Sequence, residues 1–259
     1  MILTADYHTH TTYSHGKGSV EENALAAAAR GLKELAITDH GFNHPAFGLK
    51  KRKVPHLVKD VAAACGKTGV RVLAGVEANI LSEDGKTDFK EKYFDDLDVF
   101  LAGFHKFVLC GPGAACRLLF PNYLRSGLRL APSSPLVSRT TKAYIRLIEN
   151  NPVDAVSHLN FCVFSNAVEV AKAAADYGTY IELNAKKTHL SDEELCEILA
   201  KTKARFIIGS DAHSPDRVGE ISRVEKMLAR VNFDLSRIDN IDGRLPQFRF
   251  AAYKGRCGG

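Results

Sequence analysis

Short apolar runs rich in β-branched residues alternate along this chain with longer segments whose apolar positions recur every three or four residues. The short runs predict strands at Leu3–His8, Glu34–Thr38, Val70–Gly75, Asp98–Phe104, Asp154–Ser157, Thr179–Leu183 and Arg205–Gly209. Between them the helical spacing predicts helices at Val20–Arg30, Leu57–Lys67, Ala167–Tyr177 and Ser191–Lys201. Ser19-Val20-Glu21-Glu22 has the form of a capping box opening the first helix. Gly31, Gly69 and Gly178 each stand just past a helical run, where a left-handed cap would put them.

Repeated strand–helix alternation implies a parallel sheet, because parallel strands need a crossover connection. Seven such units can close into a barrel or stay open as a doubly wound sheet. The open form usually carries a nucleotide loop of the type GxGxxG or GxxxxGK[ST], and neither occurs here. The expected fold is therefore an α/β barrel in one domain over 1–259. Two stretches interrupt the alternation. Leu81–Asp96 has a turn signal at Asp84-Gly85 and reads as a small hairpin replacing a crossover helix. Residues 107–138 carry Gly111-Pro112-Gly113, Pro121, Pro132 and Pro135 among aliphatics and read as a long insertion, a lid or an oligomer contact.

Composition adds limits. With 259 residues, 45% hydrophobic and 25% charged, the chain suits one soluble domain with a sizeable core. No window approaches the roughly 20 apolar residues of a membrane helix, so no membrane partner is expected. The first residues lack the basic and apolar regions of a signal peptide, and the six cysteines are scattered without a CxxC pair. Both point to the cytoplasm and reduced thiols. The net charge of +5 is modest, but Val99 to Ile148 contains no Asp or Glu while holding Lys106, Arg117, Arg125, Arg129, Arg139, Lys142 and Arg146. Such a bias is either a solvated basic face or a preference for anionic partners.

The chemistry lies at the strand ends. Five candidate strands run directly into a metal-type ligand: Tyr7-His8-Thr9-His10, Thr38-Asp39-His40, Gly75-Val76-Glu77, Gly103-Phe104-His105 and Val156-Ser157-His158. The last continues as Gly209-Ser210-Asp211-Ala212-His213, and His15 follows the first in a polar loop. The carboxyl ends of barrel strands converge on one face, where active sites are built. His8 and His10 are two apart, as are Asp211 and His213, so each pair points to one side of an extended segment. Imidazoles with carboxylates suit zinc first, then iron or manganese. Nine donors exceed the needs of one ion, and Glu77 is the lone acid best placed to bridge two. His44, His56 and His189 read as core or capping residues, and Asp39 as a residue that orients His40 or caps a turn.

In combination, D-x-H-x-H (Asp6 to His10), T-D-H-G (Thr38 to Gly41), G-V-E-A-N (Gly75 to Asn79), A-G-F-H (Ala102 to His105), Ser157-His158 and G-S-D-A-H-S-P-x-x-V-G (Gly209 to Gly219) resemble the PHP family, named for polymerase and histidinol phosphatase domains. The similarity runs from about Asp6 to Arg230 and looks closest to the small stand-alone YcdX-like phosphatases. It implies a distorted seven-stranded (β/α)7 TIM-like barrel with three divalent metal ions. One ion would be held by His8, His10, Glu77 and Asp211, a second by Glu77, His105 and His158, and a third by His15, His40 and His213. Every ligand position is filled here. Two departures touch the substrate: Leu159-Asn160 follows His158 where relatives commonly have His-Pro, and the insertion is long and basic.

The reading that follows is a metal-dependent phosphomonoesterase, histidinol-phosphatase-like in one version, acting on a small phosphorylated substrate. Lys106 and Arg217 are candidates for anion contacts. An alternative is a nuclease or cyclic-phosphate phosphodiesterase, which the acid-free segment favours and the small net charge disfavours. A metal-binding protein without catalysis is a third reading, opposed by the complete ligand set. The apolar insertion makes a homo-oligomer plausible.

Overall fold

A computed structural model describes residues 1–257. All seven expected strands form: β1 (Ala5–Thr9), β2 (Glu34–Ile37), β3 (Arg71–Asn79), β4 (Val99–Gly103), β5 (Ala155–Val156), β6 (Tyr180–Asn184) and β7 (Phe206–Gly209). They pair in parallel in strict sequence order, β1 to β7. The sheet closes on itself without a full β1–β7 ladder. Beyond the strand ends, Thr9 bridges Ala212 and His10 N donates to the Ala212 carbonyl at 2.8 Å. Lower down, the Asn240 side chain sews the seam, donating to the Ala5 and Ile208 carbonyls at 2.8 and 2.7 Å and accepting from Ile208 N at 2.9 Å. The fold is thus a nearly closed, distorted α/β barrel.

The helices among the described residues are α1 (Val20–Ala29), α2 (Val54–Thr68), α3 (Pro112–Ala114), α4 (Phe120–Gly127), α5 (Ser134–Asn150), α6 (Ala167–Tyr177), α7 (Asp192–Lys201), α8 (Ser222–Arg230) and α9 (Arg249–Cys257). The four expected helices form as α1, α2, α6 and α7, and five more appear that the spacing did not predict. Ser19 and Glu22 form the expected reciprocal capping box, and Ser191 with Glu194 forms another at α7. Gly69 and Gly178 close α2 and α6 in the left-handed region, at φ 71° and 70°.

Two expectations need adjustment. The 81–96 segment makes only the tight turn of a hairpin, with an antiparallel bridge from Ile80 to Thr87, before coiling into a 3-10 helix at Glu91–Asp96. Phe89 and Phe94 there turn inward onto Phe100 and Phe250, and that burial outweighs continued pairing. The 107–138 segment is helical for much of its length: α3, a π-turn at Ala115–Leu119 and α4 precede α5, which already begins at Ser134. Pro112 and Pro135 sit at helix starts, where a missing N–H costs nothing, and Pro121 follows directly on the π-turn within a continuous helical run.

The core has two compartments. Ala5, Tyr7, Ala36, Val99, Leu101, Ala155, Tyr180 and Ile207 come from six different strands and cluster together, which places them inside the barrel. The larger cluster joins the outer strand faces to the helices. Packing the lower barrel with side chains leaves the strand carboxyl ends as the place where polar groups can gather. The cysteines at 65, 110, 116, 162 and 196 are free, and the side chain of Cys257 lies outside the described residues.

Candidate metal centre

Seven of the nine expected donors converge on an eighth, the single buried carboxylate of Glu77, or on its immediate neighbours. Glu77, carried upward by the long strand β3, lies within 2.6–3.7 Å of five imidazoles: His158, His40, His105, His8 and His10. Among the described residues, neither of its oxygens forms a hydrogen bond, and neither do His10 Nδ1, His40 Nδ1, His158 Nδ1 or either ring nitrogen of His105. Orphaned buried polar atoms are costly and rare. Donors gathered this tightly with so many polar atoms left unbonded are what a set of metal ligands looks like.

Four groups of donors lie within ion-holding distance: His8–His10–Asp211, His8–Glu77–His158, His40–Glu77–His105 and His10–His40–His213. His15 belongs to none of them. Its ring instead stacks on His40 at 4.8 Å and stands 4.3 Å from His213, with its buried Nδ1 unbonded. The donor set therefore fits divalent ions by type, spacing and lack of other partners.

The electrostatics agree. Burial works to raise Glu77, but His105, His8 and His158 hold its carboxyl well below the usual range. Asp211 is likewise held low against burial by His8 and His10. Burial pushes His10 well down, His40 down to about 3 and His15 to about 4, so these rings are neutral. Anionic carboxylate and neutral imidazole are the ligand forms. Burial would also lower His8, yet Glu182, Glu77 and Asp211 together raise it well above the usual imidazole value. Three acids around one ring mark a buried negative charge that a bound cation would balance.

The surrounding chain is shaped for this crowding. Asp39 caps the loop after β1, accepting from Thr11 N at 2.8 Å, from Thr11 Oγ1 at 2.6 Å and from the Ser14 hydroxyl, which fixes the path from His10 to His15. It thus serves as a turn cap. A Cβ on Gly209 would stand 2.1 Å from Glu182 Oε1 and 2.9 Å from His8 Cβ, so only glycine lets β7 pass so close. His158 and Asp211 occupy the left-handed region at φ 30° and 50°, uncommon for residues with side chains.

Beside the donors opens a cavity of about 410 Å³ walled by His44, Phe47, Lys106, Phe107, Phe161, Lys186, Lys187 and His189. Lys106 is where an anion contact was expected. Arg217 is not: it is exposed on a 3-10 turn at Pro215–Arg217, beside Asp216 and Glu220, and does not line the cavity. Of the remaining histidines, His44 caps a turn by accepting from Phe47 N at 3.0 Å, and His56 is exposed on α2. His189 is a cavity wall with its ring 6.0 Å from His158. Two further residues have functional positions. Glu182 Oε1 lies 2.5 Å from His8 Nδ1, and Lys186 Nζ lies 3.2 Å from Asp211 Oδ1 and 3.1 Å from His213 Nδ1.

Comparison with known proteins agrees with this geometry. The PHP domain profile matches residues 6–224. A probable phosphatase of Acetivibrio thermocellus is 33% identical over 93% of this chain and 92% of its own length. Another, from Caldanaerobacter subterraneus subsp. tengcongensis, is 33% identical over 90% and 85%. Among solved structures, histidinol phosphate phosphatase from Lactococcus lactis superposes with a TM-score of 0.61 at 14% identity, covering 95% of this chain and all of that one, which shows a shared fold. On its profile match and on relatives aligned over nearly their whole length, the chain belongs to the PHP family.

Proposed function

We propose that this PHP-family phosphoesterase is a phosphomonoesterase of a small phosphorylated substrate, working with a centre of three divalent ions, zinc in the first place and iron or manganese as alternatives. The observation that carries the reading is Glu77, ringed by five imidazoles with both oxygens unbonded. His8, His10, Glu77 and Asp211 would hold one ion, Glu77, His105 and His158 a second, and His40 and His213, with His15 beside them, a third. The overlapping donor groups support this division. The histidinol phosphate phosphatase that shares the fold was solved with zinc, L-histidinol and phosphate, which makes histidinol phosphate one compound to test.

Bound divalent ions supply the charge that polarises a phosphate ester and makes water nucleophilic at neutral pH. The chain's own residues provide the rest. Glu182 fixes the ring of His8 so that Nε2 faces Glu77. Lys186 and Lys106 bring positive charge to the cavity wall, where they would bind the phosphate oxygens. Phe47 and Phe161 narrow the water-accessible space around the ester, which strengthens those contacts. The cavity volume suits a small ester.

The test is metal analysis of protein purified without chelator, followed by a phosphate-ester panel that includes histidinol phosphate and nucleotides. Two to three equivalents with monoester turnover support the proposal. One equivalent or none after reconstitution defeats the multinuclear centre. Turnover of diesters in preference to monoesters defeats the monoesterase reading.

A further inference from the structure

The insertion between β4 and α5 presents an apolar stripe that the rest of the chain leaves exposed. Phe120, Leu124 and Leu128 follow at four-residue intervals, which places them on one helix face, and they are 63, 47 and 61% exposed. Leu130 extends the stripe past the end of α4, and Phe107 and Leu109 lead into the insertion from β4, all three exposed. The opposite face is fixed to the barrel. Leu118 and Leu119 are buried, and Asn122 donates to the Leu118 carbonyl and to Thr140 Oγ1 while accepting from Phe164 N. The exposed leucines are therefore held outward by a well-anchored element.

Charge identifies the partner. No acid occurs from Val99 to Ile148. Arg117, Arg125 and Arg129 lie beside the stripe residues in sequence, and among the described residues none of them forms an ion pair, unlike Arg139 with Glu83 and Arg146 with Glu149 further along, although Arg125 donates to the Ala131 carbonyl. A helix face of leucine and phenylalanine edged by arginine matches the interface of an anionic bilayer, with apolar side chains among the acyl ends and guanidinium groups at the phosphates. A second copy of the chain is a poorer fit, because a two-fold contact sets this acid-free surface against itself. Nucleic acid is also poorer, since binding single strands rests on aromatic platforms and most of this stripe is aliphatic.

We propose that this face docks the protein peripherally on an anionic lipid surface. No helix among the described residues is long and apolar enough to cross a membrane, so the contact is a surface one, a mode that the expectation of no membrane partner, drawn from the lack of a spanning segment, did not weigh. Phe107 belongs both to the approach to this face and to the wall of the metal-site cavity, so docking brings the cavity near the lipid headgroups.

The experiment is co-sedimentation of the full chain with vesicles of phosphatidylcholine alone and of phosphatidylcholine mixed with phosphatidylglycerol. Each basic residue near an anionic surface contributes about fivefold, so the mixed vesicles should bind at least ~10-fold more tightly, and salt should weaken that binding. Leu124→Glu and Leu128→Glu should each reduce vesicle binding ~10-fold or more, with circular dichroism and hydrolysis of a soluble phosphate ester unchanged. Equal binding to both vesicle types, or none to either, overturns the proposal. So does a concentration-dependent dimer abolished by Leu128→Glu without vesicle binding, which assigns the face to a second copy. Oligonucleotide binding without vesicle binding overturns it in favour of nucleic acid.

Discussion

Glu182 holds His8 from behind, its Oε1 2.5 Å from Nδ1, so that Nε2 is left facing Glu77 at 3.3 Å. The carboxylate is buried, and its second oxygen accepts from His158 N at 2.7 Å, so one side chain positions two candidate ligands. Removing it should loosen both. Glu182→Ala is expected to weaken metal affinity ~10–100-fold, as loss of a partner behind a ligand typically does. Metal titration of the variant by calorimetry measures this, and wild-type affinity would show that Glu182 is only a buried acid.

Glu77→Gln keeps the shape of the side chain and removes the charge that five imidazoles surround. Its bound metal should fall by at least one equivalent, and turnover should drop on the order of 10²–10³-fold or more, the scale set by losing one preorganised electrostatic group. Elemental analysis beside a kinetic assay separates the two effects. Full metal content with full activity would remove Glu77 from the centre. His189→Ala, in the wall, should leave metal content unchanged.

Lys186 is half exposed yet reaches both Asp211 and His213. If it binds substrate phosphate, Lys186→Ala raises KM by ~10-fold or more, consistent with loss of one charge-assisted hydrogen bond, and leaves metal content intact. A fall in metal content at constant KM would instead make it a neutralising partner of Asp211.

How much of this was legible in the sequence differs by residue. The strands and the candidate ligands at their ends could be read because each motif joins an apolar run to a histidine or acid, and the barrel then gathers what the sequence scatters. Glu182 could not, since in Tyr180–Asn184 it looks like the polar half of an ordinary strand alternation. Lys186 and His189 lie in a loop whose path no periodicity encodes. The leucine stripe of α4 was hidden by Gly111-Pro112-Gly113 and Pro121, which read as an irregular insertion although the run from Pro112 to Gly127 is helical throughout. His15 shows the opposite case: the resemblance names it as a ligand, while the loop sets its ring against His40 and outside the donor groups.

Asp154 supplies a pH test remote from the donors. Its carboxylate accepts from Phe100 N at 2.9 Å and from Phe250 N at 2.8 Å, tying α9 to β4, and burial pushes its pKa up to about 7 from the ordinary 3.8. An unfolded chain gives up this proton near pH 4, whereas the folded protein keeps it until about pH 7. The group's contribution to stability is therefore full below about pH 4 and is lost as the pH rises through about 7. Asp154→Asn should flatten the stability profile across that window, with an offset of about 1–3 kcal/mol for the amide facing a backbone N–H. Urea unfolding of both proteins across the window decides it, and parallel profiles would contradict the raised value.

If His158 and Asp211 hold metal as proposed, the left-handed backbone at both sets catalysis and folding against each other. At both positions glycine is the residue the main chain would accept most easily, and the protein keeps a bulky candidate ligand there instead. Drift toward stability at these two sites thus runs through glycine and ends in a sturdier barrel that has lost its chemistry. Alanine, with the same loss of ligand and no relief of the backbone, offers no such reward. Selection for turnover must hold these two positions continuously against the fold's own preference.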